Sequence, residues 1–111
     1  MSVQHKELAA GRWARMPFVE QMANIGSEVE RALNWRAKNN RAYSEKASER
    51  ALELMDLTLG AASTFPRRKE MARVREAFAD YFFGANSFGS SDASWKKYFL
   101  HFATAAQKER R

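Results

Sequence analysis

One stretch near the start of the chain decides the fold: residues 18–36 read FVEQMANIGSEVERALNWR. Its inward-facing positions recur every three or four residues: Phe18, Met22, Ile25, Val29, Ala32, Leu33 and Arg36. In an α-helix this spacing places the side chains on one face. Pro17 favours the start of this helix, and Asn39 and Asn40 predict its end. Gly26 predicts a close contact with a neighbouring helix, because glycine in a helix is unfavourable by about 1 kcal/mol relative to alanine.

Three further stripes with the same spacing follow along the chain. We predict a second helix over residues 41–59, a third that begins at Pro66, and a fourth that Ser90 or Ser91 caps. Their inward-facing residues are Ala47, Ala51, Leu54, Met55 and Leu59, then Met71, Val74, Phe78, Tyr81 and Phe82, then Trp95, Phe99, Phe102, Ala103 and Ala106. Short connections favour antiparallel neighbours, so we predict an all-α fold, an antiparallel up-down four-helix bundle over residues 17–108.

The composition fits a single folded domain of 111 residues. The absence of cysteine excludes disulfides, Cys-ligated zinc and thiol catalysis. No run approaches the roughly 20 apolar residues that cross a bilayer, and residues 1–11 are too polar for a signal peptide. We therefore expect a cytoplasmic protein with no membrane partner. Residues 1–16 are expected to form a short extra helix or a partly ordered segment, with Leu8 and Trp13 as candidate anchors.

The positive charge is concentrated where the predicted helices end. There are 19 Lys and Arg against 13 Asp and Glu, a formal net charge of +6. Thr64 and Pro66 mark the start of the third helix, yet the next three residues are cations, and the helix dipole disfavours cations there by roughly 0.3–1 kcal/mol each. Alternating helices would bring this start to the entry of the first helix and to the C-terminus. The predicted anion-binding surface, which we call the cationic pole, comprises Arg12, Arg15, Arg67, Arg68, Lys69, Lys108, Arg110 and Arg111.

The predicted topology gives the two ends of the bundle different mixtures of acids and cations. The acids expected near the cationic pole are Glu20, Glu70 and Glu109. The other end, which we call the opposite pole, collects Arg36, Lys38, Arg41, Lys96 and Lys97, together with Glu45 and Asp92. A cationic surface favours nucleic acid or an acidic protein as partner, and the alternative is that the charge only keeps the protein soluble.

Two large apolar side chains lie off the main stripes. Trp35 shares a helix face with Glu28 and Arg31, and Leu57 shares one with charged residues of the second helix. Exposed large apolar groups can mark a partner surface, which favours a homo-oligomer, and the alternative is that the N-terminal segment covers them. Trp13 and Trp35 also adjoin arginines, a mixture that can bind single-stranded nucleic acid by stacking.

Few residues suit catalysis or metal binding. Neither His5 nor His101 follows a Glu by three residues, and there is no His-Glu-x-x-His or nucleotide-binding glycine motif. We therefore predict no metal site and no cofactor. Asp56 and Asp80 lie in apolar surroundings, where ion pairs with an arginine such as Arg50 or Arg75 are favoured over general acid–base chemistry.

Three stretches carry a resemblance: residues 23–35, 49–58 and 73–82 resemble a family of small uncharacterised bacterial all-helical proteins of about this length. The overall shape is also similar to HEPN-type helical bundles, several of which are RNases or toxin–antitoxin components. HEPN RNases carry an arginine, four to six intervening residues, then a histidine. Lys96 and His101 occupy this spacing here, with lysine where the arginine belongs.

The sequence favours a non-enzymatic binding or interaction module whose cationic pole engages nucleic acid or an acidic protein. One alternative is a HEPN-like RNase or toxin–antitoxin component that uses Lys96 and His101. Another is a purely structural oligomeric bundle whose charges serve solubility.

Overall fold

The computed structural model describes residues 10–109, and within this range it is helical with no β-strand. The all-α prediction is therefore confirmed for the part of the chain that the structure describes. The helices are α1, helical over residues 10–14, α2 (Phe18–Ala37), α3 (Arg41–Ala61), α4 (Phe65–Phe83) and α5 (Asp92–Glu109).

Polar side chains cap the starts of α3 and α4. The Asn40 side chain accepts a hydrogen bond from the Tyr43 N–H at 3.1 Å at the start of α3. Thr64 Oγ1 accepts from the Arg67 N–H at 3.4 Å at the start of α4. Each acceptor satisfies one of the donors that a helix start leaves without a partner.

Two helix ends differ from the prediction by two or three residues. Helix α2 ends at Ala37 rather than at Asn39–Asn40, because Asn39 takes the left-handed conformation, with φ of 62°, and reverses the chain. Helix α3 continues to Ala61 rather than to Leu59. Of the two predicted caps for α5, Ser91 is the one used, since its Oγ accepts from the Ser94 N–H at 3.1 Å.

The core consists mainly of the predicted stripes. Side chains with almost no exposed surface come from all three of α2, α3 and α4: Met22, Ile25, Leu33, Met55, Met71 and Phe78. Trp95, Phe99 and Phe102 add the buried face of α5. The prediction for Ala103 was wrong, because this residue faces solvent one position beyond the buried Phe102.

Gly26 lies where α2 and α5 touch. A Cβ atom at this position would lie 2.8 Å from the Cβ of Phe99, closer than real Cβ contacts. The close helix contact predicted from Gly26 is therefore confirmed. Helix α2 also packs along α3, and α3 packs against α4.

Aromatic rings join α4 to α5. The Phe78 and Trp95 rings meet edge to face with centroids 5.7 Å apart, and Tyr81 also contacts Trp95, at 6.4 Å. Such pairs contribute roughly 0.5–1.5 kcal/mol beyond the area they bury.

The N-terminal helical residues are held on α2 and α3 by Trp13. This side chain is buried, and its Nε1–H donates to Thr58 Oγ1 of α3 at 2.9 Å. The Gln21 amide of α2 donates to the Trp13 carbonyl at 2.8 Å. Leu8, the other candidate anchor, lies outside the described residues.

Candidate functional site

The start of α4 presents a cluster of cations to solvent. Arg67, Arg68 and Lys69 are all exposed, and the first turn of α4 contains no acidic residue. Arg67 contacts the Ser63 hydroxyl at 3.5 Å, and Arg68 contacts the Ala62 carbonyl at 3.5 Å. These are weak contacts with neutral groups, so both guanidinium groups keep donors available for an anionic partner.

Contacts that involve the Phe18 ring bring this cluster close to the start of α2 and to the second half of α5. The Arg67 guanidinium carbon lies 5.2 Å from the centre of the Phe18 ring at the start of α2. Phe18 in turn packs edge to face on Phe102, in the second half of α5, at 6.3 Å. The start of α4 therefore lies beside the start of α2 and faces the same end as the last turns of α5.

The remaining cations of the cationic pole are also exposed. Arg12 and Arg15 lie on and just after α1, and Lys108 lies in the last turn of α5. Within residues 10–109, none of the pole's cations forms an ion pair with a carboxylate. Arg110 and Arg111 lie outside the described residues.

One of the acids expected near the cationic pole is hydrogen-bonded to a tyrosine rather than to a cation. The Glu70 carboxylate accepts a hydrogen bond from the Tyr98 hydroxyl of α5 at 2.6 Å. Burial, followed by this bond to a carboxylate, raises the pKa of Tyr98 well above its ordinary value of 10.0. Glu70 thereby joins α4 to α5 and forms no ion pair with Arg67 or Lys69.

Phe65 is the residue of this surface that the sequence did not single out. Its side chain is 73% exposed, the largest value among the exposed large apolar residues of the described chain. It lies between the capping Thr64 and Pro66, beside the three cations. The signal was present in the sequence, because an aromatic residue that precedes the proline of a helix start falls outside the inward stripe.

Trp13 cannot act as a stacking residue, which corrects that hypothesis. Its ring is buried and its indole N–H already donates to Thr58. Trp35 is half-buried, with its ring edge to face against Tyr43 at 4.9 Å and the Lys38 ammonium 5.3 Å from its centre. Leu57 is also half-buried and packs against the core. Neither Trp35 nor Leu57 is therefore the fully exposed apolar group that their positions off the stripes suggested.

The acids in apolar surroundings have structural partners. Asp56 receives two hydrogen bonds from Arg75 of α4, at 2.6 and 3.4 Å, so the predicted ion pair is confirmed. Asp80 was expected to pair with an arginine, and this was wrong. Its carboxylate accepts from the backbone N–H groups of Ser87 and Phe88, at 2.9 and 3.1 Å, and so fixes the loop before α5.

Lys96 and His101 do not form a site within one chain. Both are exposed on α5, and five residues of helix separate their directions by roughly 140°. The His101 ring packs edge to face on Phe102 at 5.5 Å. Among the described residues, no group of three Asp, Glu or His side chains could hold a metal ion. No helix in this part of the chain is both long and apolar enough to cross a membrane.

No protein-family model, curated protein or solved structure matches this chain.

Proposed function

We propose that the chain is a non-enzymatic binding module whose cationic pole binds single-stranded nucleic acid. In this proposal the four long helices form an antiparallel up-down bundle with α1 as a short additional helix. The observation that carries it is the exposure of Phe65 beside Arg67, Arg68 and Lys69, none of which has a carboxylate partner among the described residues.

The two kinds of side chain have separate tasks in this proposal. Arg67, Arg68 and Lys69 neutralise phosphates, which gives affinity that falls steeply with salt and does not depend on sequence. Phe65 offers a ring on which a base can stack, a contact that is worth roughly 1–3 kcal/mol per base. An acidic protein would use the same cations but has no base to place on Phe65, so the exposed ring favours nucleic acid.

The test is the binding of a fluorescein-labelled single strand of about 12 nucleotides, as DNA and as RNA, followed by anisotropy over a range of salt concentrations. In Arg67→Ala/Arg68→Ala/Lys69→Ala we expect weaker binding and a log–log salt slope shallower by about 2, since each single-strand phosphate contributes about 0.7. The matched control, Lys38→Ala/Lys96→Ala/Lys97→Ala, removes the same charge from the opposite pole and should leave the slope close to that of the wild type.

A second variant separates stacking from charge. Phe65→Ala should lower the affinity about tenfold at every salt concentration and leave the slope unchanged. Equal losses in the triple variant and its control would contradict the assignment to the cationic pole. A wild-type chain that binds poly-L-glutamate at about 50 mM salt but neither oligonucleotide would favour an acidic protein instead.

The same samples test the two alternatives. Cleavage of the RNA strand that His101→Ala abolishes would favour the HEPN-like RNase. Absence of binding to every polyanion at low salt would favour the purely structural bundle. The homo-oligomer stays a prediction, and sedimentation equilibrium of the full chain measures it.

A further inference from the structure

A groove runs along the outer seam between α2 and α3, away from the residues tested above. Two adjoining depressions, with volumes of ≈ 400 Å³ and ≈ 310 Å³, form it, because Glu28, Arg31 and Arg50 line both of them. Leu57 lies in the first depression and Trp35 in the second. We call this surface the α2–α3 groove.

The groove has apolar surface at both ends. In the first depression the buried Leu54 and the half-buried Leu57 form the wall beside Met16. In the second, Trp35 and Tyr43 pack edge to face, and Tyr43 keeps half of its surface exposed. Trp35 and Leu57, which the sequence marked as candidates for a partner surface, therefore belong to one continuous feature.

The groove carries more positive than negative charge. The lining cations are Arg12, Arg31, Lys46 and Arg50, and Glu28 is the one carboxylate among the residues that line the two depressions. Arg31 contacts Glu28 at 3.3 Å, and Arg50 contacts Glu53 at 3.8 Å. Both arginines are more than half exposed, and exposed ion pairs of this kind contribute little to stability, so the guanidinium groups can turn towards another anion.

The dimensions of the groove match a helix. Tyr43 and Leu57 are 14 residues apart on α3, which corresponds to about 21 Å along the helix axis and to about four turns. A helix bound in a groove of this length places apolar anchors at intervals of three, four and seven residues. A single strand of nucleic acid makes poor use of the apolar surface at the half-buried Leu57, whereas an amphipathic helix buries it.

We propose that the α2–α3 groove binds an acidic amphipathic helix of a partner protein. Apolar side chains of that helix pack on Leu57 at one end and on Trp35 and Tyr43 at the other. Its carboxylates face Lys46 and Arg50 along the rim. The groove shares Arg12 with the cationic pole, but Arg67, Arg68 and Lys69 do not line it, so the chain can hold a nucleic acid at the start of α4 and a protein helix in the groove at the same time.

The experiment selects binders of the full chain from a display library of helical peptides. The positions of the peptide that can face the groove are randomised. We expect the enriched peptides to carry an excess of Glu and Asp and apolar residues at helical spacing. The peptide that binds best, made with a fluorescein label, should lose at least about tenfold in affinity for Lys46→Glu/Arg50→Glu. The matched reversal on α5, Lys96→Glu/Lys97→Glu, should bind within about twofold of the wild type.

Two further measurements decide the outcome. Exchange of Glu for Lys in the peptide should restore binding to Lys46→Glu/Arg50→Glu, which a merely unfolded variant would not allow. Arg67→Ala/Arg68→Ala/Lys69→Ala should bind the peptide as the wild type does, so that the groove and the cationic pole can fail independently. Enrichment of neutral or basic peptides, or displacement of the acidic peptide by the oligonucleotide, would overturn the proposal.

Discussion

The arginines of the two poles have different partners, whereas the lysines of both poles lack a carboxylate partner among the described residues. At the opposite pole, Arg36 bonds Asp92 at 3.0 Å and lies over the rings of Tyr81 and Phe82, at 4.6 and 4.4 Å. Arg41 pairs with Glu45 at 3.0 Å in the same region. At the cationic pole, the exposed arginines and lysines of the described chain have no carboxylate partner.

The difference comes from the position of each cation relative to the helix packing. Arg36 lies on the inward stripe of α2, so its long side chain contacts α4 through Tyr81 and Phe82 and meets Asp92 at the start of α5 while remaining partly exposed. Arg67 and Arg68 lie in the first turn of a helix, where the nearest groups are uncharged. Arg41 also lies in the first turn of a helix, but Glu45 one turn later pairs with it, whereas Glu70 of α4 bonds Tyr98 instead.

The largest expected effect on stability comes from Trp13, which holds α1, and with it Arg12 of the cationic pole, against α3. Trp13→Ala should lower the free energy of unfolding by about 3–5 kcal/mol, because a buried aromatic ring and the bond to Thr58 are lost together. Urea denaturation measures this change. Thr58→Val removes the acceptor alone and should cost about 1–3 kcal/mol. A Trp13→Ala protein as stable as the wild type would mean that α1 does not belong to the packed fold.

The direct comparison of the poles substitutes one arginine at each. Arg36→Ala should lower the free energy of unfolding by about 1–2 kcal/mol, through the partly exposed pair with Asp92 and two cation–π contacts. Arg68→Ala should change it by less than about 0.5 kcal/mol, because a cation in the first turn opposes the helix dipole. Equal shifts of the urea midpoint in the two variants would contradict the distinction between the poles.

A smaller effect tests the contact midway between the poles. Gly26→Ala should lower stability by about 1 kcal/mol, since overpacking against Phe99 outweighs the gain in helix propensity. Gly60→Ala is the matched control, because Gly60 is also helical and a Cβ atom there meets nothing within 4 Å. It should raise stability by about 0.5–1 kcal/mol. Thermal melts followed by circular dichroism should therefore shift in opposite directions.

The smallest effect concerns a feature that the two poles share, a tyrosine hydroxyl bonded to a carboxylate. Tyr81 donates to Asp92, and Tyr98 donates to Glu70. Burial, with the carboxylate next, raises the pKa of each tyrosine above its ordinary value of 10.0. The unfolded chain therefore loses these protons first, so the stabilisation is complete below about pH 10 and declines as the pH rises further.

Tyr98→Phe checks this pH dependence by removing one of the two groups. Its free energy of unfolding should fall less steeply than that of the wild type between about pH 9 and pH 11. Tyr43→Phe, at a half-exposed position, should keep the wild-type slope. A steeper decline in Tyr98→Phe would contradict the assignment.

Local periodicity predicted what depends on helix geometry. The inward stripes, the Gly26 contact and the Asp56–Arg75 pair all follow from which face of a helix a residue occupies. These features lie within one helix or between neighbouring helices, and the short connections in the sequence predict which helices are neighbours. The spacing of three and four residues carries that information directly.

Long-range pairing and loop conformation could not be predicted in the same way. Trp13 is the single large ring in a polar segment, and its partner Thr58 is 45 residues away, so no local pattern links them. Asp80 binds backbone N–H groups whose direction is set by the loop rather than by any helix. Phe65 belongs to the candidate site because the start of α4 is left uncovered, which depends on the packing of the whole chain.

The bond between Glu70 and Tyr98 has a consequence for how the molecule behaves at a distance. With that carboxylate bonded to Tyr98, the exposed cations at the start of α4 keep no ion-pair partner among the described residues. The proposed cationic pole would make the molecule an electric dipole as well as a cation, and a field of negative charge would then exert a torque on it before any contact is made. It should approach a polyanion or a cation-exchange resin with the cationic pole leading, and elute at a higher salt concentration than a protein with the same net charge spread evenly.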